Sequence, residues 1–220
     1  QTVYWNRRYE PHYVVKDREI QETLVANGIT VETFIATVLF EPCQTGPSAD
    51  STYRVFTSFY KSLQQQEVQP CVPTCTTINH YTGSVQGECL SGLSLLTKNP
   101  ALDIWQPGEK GADAALAKFI KCSLASYGSS FDSTSRLSAH LHFGELSVRH
   151  VAKSVQDHEA FYKELILRDF AIHLLFYFPS ILKHPLNPEF ESFPWRTDPE
   201  QLALWQEGHT GIPIVDAAMR

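Results

Sequence analysis

The chain has 220 residues, 43% of them hydrophobic and 19% charged, with a net charge of −6. That is enough apolar material for one or two packed domains and too little charge for wholesale disorder. Proteins that coat nucleic acid nonspecifically are usually basic, so any nucleic-acid contact here must come from a local patch; the charge suits an ordinary acidic cytosolic enzyme equally well.

The chain opens on Gln1 and closes on Arg220 inside a helical-looking run, so an internal segment of a longer protein is expected. The five cysteines are Cys43, Cys71, Cys75, Cys89 and Cys122, an odd number at irregular spacing. Reduced thiols are the simplest account. A zinc site built from Cys71, Cys75, His80 and Cys89 is the weaker alternative, because the loop has no paired C-x2-C knuckle, and no metal is expected. There is no secretory signal and no apolar run near 18 residues, which points away from membranes and towards the cytoplasm, or the nucleus or an organelle in a eukaryote.

In chain order, Thr2–Asn6 reads as a strand, 16–27 as a helix facing inward through Ile20, Leu24 and Val25 with Gly28 as its C-terminal stop, and 29–40 as containing a second strand. Strand, helix, strand is the unit of a parallel α/β sheet. A short helix follows within 54–66. The stretch 67–110 is rich in Pro, Thr, Ser and Gly, lacks periodicity, and reads as a connector between domains. Beyond it the spacing predicts helices over 112–125 (Leu116, Phe119 and Ile120 on one face), 134–142, 148–155 with Ser147 as N-cap, and 158–178, whose Leu165, Phe170, Leu174 and Phe178 would face a core. Further helices are predicted over 199–207, capped by Asp198 with Pro199 at the first turn, and from Ile212 onward. The predicted fold is therefore α/β plus all-α: residues 1–66, a connector at 67–110, and a helical part at 111–220.

Residues 133–138 read STSRLS. Hydroxyls and one Arg at the start of a helix suit phosphate, because free backbone N–H groups and the positive dipole end point the same way; by themselves, such residues are more often simple caps. Phe161, Glu164 and Arg168 are spaced i, i+3, i+7 and so share a helix face. An acid and a base four residues apart are most often a surface ion pair.

Longer runs carry a resemblance. STSRLSAHLHFGELSVR (133–149) resembles the flavin-binding signature of the DNA photolyase and cryptochrome family. VYWNRRYEP (3–11), WQPGEKGA (105–112), FPW (193–195) and WQEGHTGIPIVDAAMR (205–220) resemble further stretches of that family in the expected order. The resemblance spans nearly the whole chain. It implies the C-terminal remnant of a Rossmann-like antenna domain, then a connector, then part of a helical FAD-binding domain. It further implies a light-driven deoxyribodipyrimidine photolyase, splitting cyclobutane pyrimidine dimers with an electron from reduced FAD, as a monomer acting on UV-damaged DNA. The other member type, a cryptochrome, binds FAD as a blue-light receptor without repair. The 220 residues alone are expected to be inactive.

Carried over by position, the resemblance implies that Thr134, Ser135, Arg136, Leu137 and Ser138 cradle the FAD phosphates and that Tyr127, Phe161 and Arg168 contact the flavin. Glu164 is implied as the catalytic group reaching the pyrimidine pair, with Leu167 and Arg168 also on the DNA side. Trp195 matches the outermost member of a tryptophan electron-transfer chain, and Lys183 a residue touching an antenna chromophore of folate or deazaflavin type. The sequence departs from the family pattern in three places. The loop YGSSFDS (127–133) is short and lacks an Arg that often touches DNA, and Leu167 stands where dimer-repairing members commonly have Trp. Pro11, His12 and Tyr13 replace an Asn-Glu pair after YE, which weakens the folate reading.

Overall fold

The computed structural model describes residues 1–42, 52–64, 66–72, 75–77, 82–84, 86–93, 95, 104–130 and 132–220. Cys43, His80 and much of the expected connector lie outside them. The described residues fall into two compact units, Gln1–Pro179 and Ser180–Arg220.

The first unit begins with a parallel βαβ motif: β1 (Thr2–Asn6), α1 (Pro11–Ala26) and β2 (Thr30–Phe34), with Thr2 opposite Thr30 and Asn6 opposite Phe34. α1 starts five residues before the predicted point. Pro11 sits in its first turn, where a fixed φ helps and the missing N–H is not needed. Its inward face also differs from expectation: Ile20 and Val25 are exposed, and no residue of α1 is fully buried. Gly28 does end the helix, with φ 74°, a value that L side chains rarely adopt.

After β2 the chain forms a strap, residues 37–42, whose Val38, Leu39, Phe40, Glu41 and Pro42 are all buried. Arg7 pins the strap to the strand ends, donating to Thr33 Oγ1 at 2.8 Å and pairing with Glu41, to which the Tyr9 hydroxyl also donates at 3.3 Å. α2 (Phe56–Leu63) inserts Phe59 and Leu63 into the core. Burying such side chains fully contributes about 1.5–3 kcal/mol each. Within the expected connector, the described residues hold one short 3₁₀ turn, Leu90–Leu93.

The helical part of the unit is α3 (Glu109–Cys122), α4 (Ser138–His142), α5 (Val148–Ser154) and α6 (Glu159–Tyr177). Leu116 and Phe119 of α3 are buried as predicted, but Ile120 is exposed. The helix predicted over 134–142 is cut to Ser138–His142, because Arg136 takes φ 53° and a left-handed residue cannot continue an α-helix. Ser147 stands at the N-cap of α5 without a capping side-chain bond.

α6 is the axis of this unit. Its buried positions are Phe161, Leu165, Ile166, Asp169, Phe170 and His173. A polar rail runs up it at one-turn intervals. Asp169 accepts the backbone N–H of Leu39 at 2.8 Å and of Phe40 at 2.9 Å, and Tyr177 donates to the carbonyl of Pro42 at 3.0 Å. Between them, His173 is fully buried against Phe59, with ring centroids 5.0 Å apart.

The second unit contains α7 (Pro199–Gln206) and α8 (Pro213–Met219). Asp198 caps α7 as predicted, accepting the N–H of Gln201 at 3.1 Å. Asp216 organises the turn before α8: its carboxylate accepts from Thr210 N (2.8 Å), Thr210 Oγ1 (2.6 Å) and Gly211 N (3.1 Å), and those bonds hold it below the usual carboxylate range. Gly208 and Gly211, both at positive φ, make that turn. This is the structural content of the run GHTGIPIVDAAMR.

Candidate functional site

Tyr127 ends a 3₁₀ turn after α3 and packs edge-on against Phe161 of α6, centroids 5.0 Å apart. Phe119 of α3 completes the trio, 4.6 Å from Phe161 and 5.9 Å from Tyr127. Phe161 is buried at the base. The Tyr127 hydroxyl is raised above its ordinary pKa, first by burial and then by the negative charge of Glu164. Glu164 itself is exposed one turn along α6 from Phe161.

The 134–138 turn adjoins this wall. Ser133, buried, shares a 2.6 Å hydroxyl hydrogen bond with Ser126, the residue before Tyr127. Leu137 is buried in the core against which Tyr127 packs. Anchored at both ends, the turn leaves Thr134, Arg136 and Ser138 exposed and Ser135 half-buried. The left-handed backbone at Arg136 carries a conformational cost that Gly would avoid, yet the residue is a cation, which suits an anion-binding turn. α4 is a single turn and adds only a weak dipole, so hydroxyls and the guanidinium must supply most of the anion contact.

Behind the turn lies the WQPGEKGA run. Gly108 adopts φ 88° at the start of α3 and donates its N–H to Glu145 at 2.7 Å. Glu145 also bonds the buried His140 of α4 at 2.6 Å, and Trp105 meets the His140 ring at 6.0 Å. The run thus braces α4 and the end of the candidate phosphate turn.

Arg168 stands apart from this grouping. No Glu164–Arg168 ion pair is present among the described residues; the guanidinium donates instead to the carbonyl of Thr37 in the strap, and burial lowers its pKa. It lines a cavity of about 410 Å³ with Ala171, Ile172 and Leu175 of α6, and with Tyr9, Tyr13 and His142. Leu167 is 42% exposed on α6. In the second unit, Trp195 is 70% exposed, its indole donating to Phe190 O at 2.9 Å, and Lys183 is exposed.

Asp169 and His173 received no role from the sequence. The available signal was two polar residues four apart within the apolar run ELILRDFAIHLLF. Burial raises Asp169 to about 7, against the opposing pull of the Phe40 and Leu39 N–H groups, and its Oδ1 has no hydrogen-bond partner among the described residues. Also among the described residues, Cys71, Cys75, Cys89 and Cys122 are free and exposed, no cluster of three or more His, Cys, Asp or Glu could hold a metal ion, and no helix is long and apolar enough to cross a membrane.

A βαβ motif joined to a helical part that carries an aromatic wall and a hydroxyl-rich turn has counterparts among known proteins. The family model described as the FAD-binding domain of DNA photolyase matches residues 161–220, and that described as DNA photolyase matches residues 1–75. A deoxyribodipyrimidine photo-lyase of Agrobacterium fabrum is 37% identical over 100% of this chain and 50% of its own length. Cryptochrome-2 of Arabidopsis thaliana is 28% identical over 99% of this chain and 41% of its own. A crystal structure of a class III photolyase from Agrobacterium tumefaciens superposes with a TM-score of 0.88 at 34% identity, over 100% of this chain and 50% of that one. The chain belongs to the DNA photolyase and cryptochrome family. It spans about half the length of the curated photolyase relative.

Proposed function

We propose that this chain is part of a deoxyribodipyrimidine photolyase, which binds UV-damaged DNA and splits cyclobutane pyrimidine dimers under light. The carrying observation is the grouping of Tyr127, Phe161 and Glu164 beside the 134–138 turn. These residues fit FAD: an aromatic wall for the flavin end, and exposed hydroxyls with one guanidinium for the phosphates. When bound, reduced and excited by light, FAD supplies the electron that opens the dimer. The chain's own task is to bind, orient and set the electrostatics. Thr134, Ser135, Arg136 and Ser138 hold the phosphates, while Tyr127 and Phe161 confine the flavin. Glu164, solvent-facing and one turn away, meets a dimer flipped out of the duplex and offers it a hydrogen bond or a proton. Trp195, exposed in the second unit, is the residue that would serve as the outermost member of an electron-transfer chain.

The test is light-dependent reversal of a cyclobutane dimer in a defined oligonucleotide by the full-length protein carrying FAD, with a dark control. Flavin binding without reversal would turn the reading to a cryptochrome-type receptor, which the missing aromatic ring at Leu167 favours. Absence of flavin binding would remove both.

Two substitutions probe the assignment. Arg136→Ala removes a charge-assisted bond to phosphate and should weaken FAD affinity by about 1.5–3 kcal/mol, measured by flavin titration. It should leave stability nearly unchanged, because the side chain is exposed. Leu167→Trp should tighten binding to dimer-containing DNA by roughly 1–3 kcal/mol through stacking, with undamaged duplex unaffected. The exposure of Leu167 argues against overpacking, so the melting temperature should hold.

For an antenna chromophore of folate or deazaflavin type, the residue that the resemblance implies is Lys183, whose side chain is exposed. Extraction of the purified protein and absorption spectroscopy would show whether a second chromophore accompanies FAD.

A further inference from the structure

The side of α6 opposite Glu164 and Leu167 carries the polar rail, and its first member is the least comfortable. Asp169 is 1% exposed. One carboxylate oxygen accepts two backbone N–H groups from the strap, and the other has no hydrogen-bond partner among the described residues. A buried carboxylate with a wasted oxygen costs stability relative to an apolar side chain of similar size. What it secures is geometric: the strap is fixed to α6 two residues beyond Thr37, and Thr37 O is the acceptor that holds the Arg168 guanidinium. Asp169 and Arg168 are neighbours on one helix, so the two contacts close a small loop: Asp169 to strap, strap to Arg168. The other ionisable groups around it are committed or distant in role. Glu41 of the strap is held by Arg7 and Tyr9, and the half-buried Tyr162 has its pKa raised, first by burial.

We propose that Asp169 is a positioning residue for the flavin-facing side of α6: by clamping Leu39 and Phe40 it fixes Thr37, and through Thr37 it sets where the Arg168 guanidinium stands. The inference rests on the reading of Arg168 as a flavin contact. With the clamp gone, Thr37 O moves away and Arg168 is released to pair with carboxylates along its own face, Glu164 one turn back being in reach. The loss at the flavin then comes from a misplaced cation, with the fold retained.

The test uses the full-length protein with FAD and two readouts, amide hydrogen exchange at Leu39 and Phe40 and FAD affinity by titration. Asp169→Asn keeps an acceptor for both amides; exchange and affinity should stay within about threefold of the parent. Asp169→Ala removes the acceptor; exchange at both amides should rise at least about tenfold and FAD affinity fall several-fold, well below the melting temperature. In an Arg168→Ala background the same change should raise exchange equally but leave FAD affinity where Arg168→Ala alone puts it. If Asp169→Ala does not fold, Asp169→Ser, too short to reach both amides, replaces it. Unchanged exchange at Leu39 and Phe40 overturns the clamp. An affinity loss of equal size in both backgrounds overturns the route through Arg168. Failure of the parent protein to bind FAD would instead remove the functional reading, leaving the exchange result to stand for the clamp alone.

Discussion

Gly111→Ala is expected to lower the stability of the first unit by several kcal/mol, on the order of 3–5. A Cβ at this position would lie 1.9 Å from the carbonyl oxygen of Gln106 and 2.7 Å from its carbon. Both are backbone atoms and cannot rotate away. Helix propensity alone would favour Ala over Gly by about 1 kcal/mol, but the clash is the larger effect. Relief requires Trp105–Gly108 to lift off α3, which breaks the Gly108–Glu145 bond and withdraws Trp105 from His140. Flavin retention should fall with it, since α4 begins at Ser138. Gly144→Ala is the control. Nothing lies within 4 Å of a Cβ there, and only its φ of 70° opposes the change, so the cost should stay near 1–2 kcal/mol. Urea melts of the three proteins compare them directly; equal losses for Gly111 and Gly144 would sink the close-approach account.

The contrast between those glycines shows where the sequence was legible. Both belong to runs that the family resemblance picks out, but only coordinates separate a glycine needed for φ from one needed for space. Regular elements were readable where period and stop signals coincide: Gly28 closes α1, and Asp198 with Pro199 opens α7. The exceptions have local causes. Arg136 looked like part of a helix because Arg is a good helix former, and nothing in its neighbours announces a positive φ. Ile20, Val25 and Ile120 looked inward because helical spacing marks a face without saying whether anything covers it.

The candidate site divides in the same way. Tyr127 packs on Phe161, and Glu164 stands one turn along the same helix, because an i, i+3 pair on one helix needs only one neighbour to close around it. Arg168 shares their helix face, yet its guanidinium goes to the strap. Its partner there is a backbone carbonyl 131 residues away in sequence, and no side-chain pattern encodes such a contact. Asp169 escaped for a related reason, since both its donors are backbone N–H groups of apolar residues.

Asp169 should also shape the response of the fold to pH. Its pKa is raised to about 7 in the folded chain by burial, against about 3.9 when unfolded. The folded state therefore binds the proton more tightly. The associated stability is fully present below about pH 4 and is lost as pH rises through 7, a change on the order of 4 kcal/mol from three pKa units. His173 acts in the opposite sense. Burial lowers its pKa, so its contribution is lost as pH falls below its unfolded value near 6.5. The two slopes overlap between pH 4 and 7, and the parent's profile alone does not separate them. The difference between Asp169→Asn and the parent does, because His173 is common to both. Asn cannot ionise and still accepts from Leu39 and Phe40; its amide N–H groups sit where Oδ1 had no partner, at a cost of about 1–2 kcal/mol. The variant should therefore be close to the parent at pH 5 and more stable by roughly 2 kcal/mol at pH 8. Chemical denaturation from pH 5 to 8.5 measures this. A difference that stays constant across that range, or grows in the parent's favour at high pH, would mean that Asp169 is ionised throughout and that its two N–H donors outweigh its burial.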